Sequence, residues 1–204
     1  MIDIFEKGHF DKYKVRSINE AREGTIALEA CSDAPGGFVQ RTSVFFSHKH
    51  DDLDDVKGVI GYLQQHYNAK VYIDSQDERQ PVRTCVETAR KIKNEIENCD
   101  KFIFMATEGA IASKWCNWEL GYGDSLKYES GNLAFIAFRD SKISHGNFSG
   151  NEYMELYPFI VFMDGVKKNE QGIVLEEGMY LRYKNHGMWE YLPLVKWLGE
   201  RKYG

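Results

Sequence analysis

The sequence predicts an α/β fold, a doubly wound parallel sheet of about five strands with helices on both faces. Short strand-forming runs that are apolar on both faces recur at 43–47, 70–73, 101–107 and 133–138, as expected of strands buried between two helical layers. Between them lie segments with apolar residues at three- and four-residue spacing, the signature of packed helices. The composition, 204 residues with 43% hydrophobic and 28% charged, is that of an ordinary globular chain long enough for one full α/β core plus an extension.

Taken in order, residues 1–40 read as an N-terminal extension, 41–165 as the main domain and 166–204 as a C-terminal extension packing on it. Phe10 to Arg22 is compatible with a helix that turns Tyr13 and Ile18 inward, and Thr25 to Ala30 stays open between strand and helix. Ala34-Pro35-Gly36-Gly37 is a breaker cluster, so residues 1–36 are expected to lie outside the core. Ser43-Val44-Phe45-Phe46-Ser47 is the first buried strand, and Asp51 or Asp52 then caps a helix carrying Val56, Val59, Ile60, Leu63 and Tyr67, with Asn68 as a left-handed terminator. Lys70 to Ile73 is the second strand. The segment Asp74 to Arg83 is long and polar for a strand-to-helix connection, a pattern of either function or plain solvation. Thr84-x-x-Glu87 is a capping box opening a helix with Val86, Ala89, Ile92, Ile96 and Cys99 inward.

Lys101 to Thr107 is the third strand, and after Glu108 to Ala112 comes a helix N-capped by Ser113, with Trp115, Trp118, Tyr122 and Leu126 as its apolar stripe. Leu133 to Phe138 is the fourth strand, Ser141 to Asn151 a loop, and Phe159 to Met163 the fifth strand. Small strands are expected at Ile173 to Leu175 and Met179 to Tyr183. A closing helix is expected from Met188, Tyr191, Leu192, Val195 and Leu198, with Pro193 in its first turn or at a kink.

The net charge of −5 and the absence of a Lys/Arg block argue against a nucleic-acid or anionic-membrane surface, so a small ligand is expected. Cys31, Cys85, Cys99 and Cys116 form neither a disulfide framework nor a zinc-ligand cluster, which fits a reducing cytosol. No N-terminal signal pattern is present, and no apolar run approaches the ~20 residues that span a bilayer.

One residue breaks the apolar pattern. At about 100° per residue, Glu119 falls inside the stripe, between Trp115 and Gly123 and next to Leu126. A carboxylate there is costly unless it is paired, protonated or turned to a pocket; the alternative is that it sits at the stripe's margin and reaches solvent or an Arg. In a doubly wound sheet the ligand lies beyond the carboxyl ends of the strands where the winding reverses. With the first strand interior and the second and third on either side of it, that crevice is bordered by Ser47-His48 and by Thr107 to Glu119.

Phe45-Phe46-Ser47-His48, then Val71-Tyr72-Ile73-Asp74 before a long polar loop, then Ser113-Lys114-Trp115-Cys116-Asn117-Trp118-Glu119-Leu120 together resemble the ordered motifs of a TIR (Toll/interleukin-1 receptor) domain over roughly residues 42–165. The resemblance implies the flavodoxin-like TIR fold. Its most specific part, Trp115-x-x-x-Glu119, is similar to the W-x-x-x-E of the NAD-cleaving branch, and implies cleavage of the nicotinamide–ribose bond of NAD⁺ as substrate, with no cofactor. Glu119 would then be catalytic, Trp115 would stack on substrate or pack in the core, and Ser47, His48 and Asp74 would bind substrate. Nothing in the reaction demands a general base unless a hydroxyl must be deprotonated for cyclisation, so His48 is expected only to line the cleft.

A nearly bare domain of this kind resembles the bacterial anti-phage Thoeris proteins, which implies a nucleotide messenger read by a separate effector. Self-association through residues 74–83 is expected from the same resemblance and from that segment's mixed charges. Two rivals stay open: a non-catalytic protein–protein scaffold, and a nucleoside deoxyribosyltransferase-like enzyme, which also uses a Glu. A response-regulator receiver is disfavoured, since the third strand ends in Ala106-Thr107 where an acceptor Asp would stand.

Overall fold

In the computed structural model, residues 3–16, 41–73, 86–139 and 152–199 are described. They form one eight-stranded, mostly parallel sheet with helices on both faces. The strands are β1 (Phe5–Glu6), β2 (Ser43–Ser47), β3 (Lys70–Tyr72), β4 (Lys101–Ala106), β5 (Leu133–Arg139), β6 (Phe159–Met163), β7 (Gly178–Asn185) and β8 (Met188–Pro193). Their order across the sheet is β3-β2-β4-β5-β6-β7-β8, parallel up to β6 and antiparallel beyond it. The helices are α1 (Leu53–Tyr67), α2 (Val86–Asn98), α3 (Glu108–Ala112), α4 (Lys114–Lys127) and α5 (Leu194–Gly199).

Two cores follow from the period of two along each strand. Val44 and Phe46, Ile103 and Met105, and Ala134, Ile136 and Phe138 face α1 and α5. Phe45, then Phe102, Phe104 and Ala106, then Leu133, Phe135 and Ala137 face α2, α3 and α4. Helix α1 buries Val56, Val59, Ile60 and Leu63 and ends at Asn68 with φ 52°, the left-handed terminator expected there.

The expectation that residues 1–36 lie outside the core is corrected for the described part of that segment. Strand β1 pairs in parallel with the carboxyl-terminal end of β5, Phe5 opposite Phe138, where β6 no longer pairs. Phe5 and Phe10 are buried against Phe138, and a short 3-10 turn at Asp11–Tyr13, with no helix over the described residues 14–16, carries the strap across α1. The strap lies close because α1 has glycines beneath it: a Cβ on Gly61 would sit 1.8 Å from the Tyr13 carbonyl oxygen, and one on Gly58 2.8 Å from that of Phe10. Residues 17–40, including Ile18 and the breaker cluster, lie outside the described residues.

The carboxyl-terminal region also differs from expectation. Residues 188–193 form strand β8, not the start of a helix, and only Leu194–Gly199 is helical. Asn185 opposes Met188 across a two-residue turn in which His186 (φ 48°) and Gly187 (φ 79°) are both left-handed, the geometry that favours tight hairpins. Pro193 ends β8 at the sheet edge, where its missing N–H costs no ladder bond. Ile173–Leu175 is not a strand; Val174 makes only an isolated bridge to Lys168. Helix α5 returns to the amino ends of the parallel strands, where Thr42 donates to the Leu198 carbonyl and Trp197 Nε1 donates to the Gly131 carbonyl at 2.7 Å. The opposite, carboxyl end is thereby left to the crevice.

Candidate active site

Strand β2 lies between β3 and β4, so the winding reverses beside it, and the switch point expected from that rule falls at the carboxyl end of β2, at Ser47. Ser47 has the same parity as Phe45 and therefore points to the α4 face. There its hydroxyl donates to Glu119 Oε2 at 2.5 Å, and Glu119 is only 1% exposed. Helix α4 can press this closely because Gly123, one turn beyond Glu119, leaves room for the Phe102 ring; a Cβ there would lie 2.7 Å from it. Ser113 caps the helix by accepting from the Cys116 N–H, as the sequence predicts.

The phase of α4 is a correction. Its buried face is Cys116, Glu119, Leu120 and Gly123, while Trp115, Trp118 and Tyr122 are only partly buried and Leu126 is exposed. The aromatic residues lie along the margin, Trp115 stacked on Trp118 at 4.8 Å and Trp118 on Tyr122 at 6.4 Å, with the Lys93 ammonium of α2 above Tyr122. Glu119 is thus at the centre of the buried face rather than one member of a tryptophan stripe. On α2 the inward residues are Ile92 and Ile96, followed by Cys99, whereas Val86 is exposed.

Asp52 was expected to cap α1, and its backbone does occupy the N-cap position, but its side chain makes no capping bond. It is buried instead. Thr107 donates to Oδ2 at 2.6 Å, and Lys7 of the strap donates to Oδ1 at 2.9 Å. The Thr107 hydroxyl also accepts from the Ala110 N–H and so caps α3. Sequence reasoning missed Asp52, Thr107 and Lys7 as a group, because His50-Asp51-Asp52 reads as a solvated charge run and Lys7 lies far away in the chain. No local signal marks them.

His48 follows Ser47, with Nδ1 3.4 Å from the Phe46 carbonyl oxygen, and burial pushes its imidazole down to about 4. The Cys116 thiol donates to the His48 carbonyl at 3.4 Å, and burial pushes it up to about 11. At neutral pH both are uncharged. The Ser47 hydroxyl is directed to Glu119 rather than to an imidazole, so the arrangement lacks the nucleophile–base pairing of acyl-transfer sites. Ser47 and Glu119 are thus bonded to each other, His48 follows Ser47 and Trp115 lies one turn before Glu119 on α4, whereas Asp74 and the 74–83 segment lie outside the described residues. Among the described residues, no group of three or more His, Cys, Asp or Glu side chains converges as metal ligands, and no helix is long and apolar enough to cross a membrane.

A doubly wound sheet with a buried, hydroxyl-bonded carboxylate at its switch point defines the class: an α/β domain of the doubly wound type. A family model described as the TIR domain matches residues 44–160, and the chain belongs to that family. No curated protein matches it significantly.

Proposed function

We propose that this TIR domain cleaves NAD⁺ between nicotinamide and ribose, with Glu119 as the catalytic carboxylate. The observation that carries the proposal is Glu119 itself: a carboxylate 1% exposed, at the switch point, its Oε2 held by the Ser47 hydroxyl at 2.5 Å. Taking a carboxylate out of water is expensive. That expense is intelligible where a positive charge develops in the reaction.

Nicotinamide departs neutral from a pyridinium, so the glycosidic bond breaks without an acid to protonate the leaving group. The ribosyl fragment gains oxocarbenium character. A fixed carboxylate stabilises that charge, a role that depends on preorganisation rather than proton transfer. The uncharged His48 and Cys116 fit such a site, since neither a base nor a thiolate is needed to break the bond. In this reading Ser47 orients the carboxylate, His48 lines the cleft, Trp115 presents an aromatic face at its margin, and Asp74 joins the substrate-binding set. The product is an ADP-ribose species, linear, cyclised or transferred, acting as a messenger to a separate effector in bacterial anti-phage defence of the Thoeris kind.

The test is nicotinamide release from NAD⁺ by the full chain and by Glu119→Gln. Gln still accepts the Ser47 hydrogen bond but lacks the charge. The expected result is a kcat lower by about 10²–10³ with KM little changed, and a melting temperature at or above that of the wild type. Equal turnover, or early melting with turnover retained, would reject the assignment. No release by the wild type at all would return the protein to the scaffold reading.

A further inference from the structure

The strap is joined to the core by apolar packing and to the loops at the switch point by polar groups. Lys7, Asp52 and Thr107 form one chain of bonds, from Lys7 Nζ to Asp52 Oδ1 at 2.9 Å and from Thr107 Oγ1 to Asp52 Oδ2 at 2.6 Å. Asp52 is 4% exposed and Thr107 3%. A carboxylate this buried tolerates the loss of a partner poorly, because the remaining charge is left desolvated. The strap, the loop after β2 and the end of β4 therefore share one mechanical constraint.

That loop runs from Ser47 to Asp52 and is tied to the β4–α4 side at both ends. Asp52 is bonded to Thr107 at the far end. At the near end Ser47 is bonded to Glu119, and the His48 carbonyl accepts from the Cys116 thiol. Between them the Lys49 stem lies against Gly109 of α3, where an added Cβ would come within 2.8 Å of its Cδ. Loosening the Asp52 end leaves the Ser47 end to hold the loop alone.

We propose that Asp52 is a positioning residue for the Glu119 site, clamped by Lys7 from the N-terminal strap and by Thr107 at the junction of β4 and α3, so that the strap is part of the working site. The inference deepens the NAD⁺-cleaving reading and rests on it for the kinetic arm of its test. It also makes a claim that needs no turnover: the clamp keeps the Ser47–Asp52 loop closed over Cys116.

The experiment compares full-length Lys7→Met, Thr107→Val, their double variant and Thr107→Ser with the wild type, well below each melting temperature. Lys7→Met and Thr107→Val should each lower kcat for nicotinamide release by about 10-fold or more with KM within about twofold, since small misplacements of a catalytic constellation act on rate. Thr107→Ser keeps the hydroxyl and should retain the rate. The double variant should be no slower than the slower single variant, because both act through Asp52. The second readout is iodoacetamide labelling of Cys116, followed by peptide mass spectrometry, which should quicken about 10-fold or more in Lys7→Met. Wild-type kcat with only a lower melting temperature, additive losses in the double variant, or unchanged Cys116 labelling would each overturn the proposal. If the wild type releases no nicotinamide, the NAD⁺ reading fails and Cys116 labelling alone decides whether the clamp exists.

Discussion

His48 carries a pH prediction that its place in the sequence would not give. Burial is the main cause of its lowered value, about 4, with the Phe46 carbonyl and Asp52 opposing it and His50 adding to it. In the unfolded chain an imidazole titrates near 6.5. Between those two values the unfolded state takes up a proton that the folded state refuses, so stability is complete above about pH 6.5 and falls as the solution is acidified toward 4. Urea midpoints of wild type and His48→Gln, measured from pH 7.5 to 4, should diverge with that sign, the wild type losing stability more steeply. Parallel curves would mean that the imidazole is hydrated in the folded protein. Glu119 shows the same dependence of chemistry on surroundings: the helix pattern marks it as anomalous, while the Ser47 hydroxyl comes from a strand 72 residues away.

Helix α1 illustrates how one element is shaped for another. Gly58 and Gly61 weaken it as an isolated helix, by roughly 1 kcal/mol each relative to Ala. They are what allow the strap to lie on it: Val15 N–H donates to the Lys57 carbonyl at 3.4 Å, and Gly8 N–H donates to Asp55 Oδ1 at 2.7 Å. Gly61→Ala should therefore destabilise despite its helix propensity, because the new Cβ would sit 1.8 Å from the Tyr13 carbonyl oxygen and backbone must shift. Overpacking of this sort costs about 1–3 kcal/mol. Thermal unfolding followed by circular dichroism checks it; a raised melting temperature would show that the strap yields at no cost. Strand β8 is the complementary lesson. Apart from the exposed Met188 its residues are half-buried at a sheet edge, so their alternation is weak, and the three- and four-residue spacing of Met188, Tyr191, Leu192 and Val195 imitates a helix.

At the scale of the molecule, the strap, the sheet and the closing helix share one core. Phe5 and Phe10 belong to the same core as α1 and α5. Truncating a buried Phe costs roughly 3–5 kcal/mol, and whole domains are stable by roughly 5–15 kcal/mol. A chain beginning at Arg41 would lose both, and is expected to lack the cooperative thermal transition of the full protein. Coincident melting of the two in differential scanning calorimetry would show that residues 1–40 are dispensable to the fold.

Sequence periodicity was sufficient for the α/β class, the central strands β2 to β6, the buried faces of α1, the αL end at Asn68, the Ser113 cap and Glu119 as the residue out of place. All of these are local, set by neighbours within a turn of helix or along one strand, and so are readable in a linear pattern. What only the tertiary structure decided depends on contacts between distant segments. The phase of α4 was set by Gly123 meeting Phe102, not by the tryptophans that dominate its composition. The strap joined the core because β5 offered a free stretch of edge beyond its pairing with β6. Asp52 turned from cap to buried clamp because Lys7 and Thr107 arrived from 45 and 55 residues away. Hydrogen bonds and van der Waals contacts act over a few ångströms of space whatever the separation along the chain, and a single sequence records only the latter.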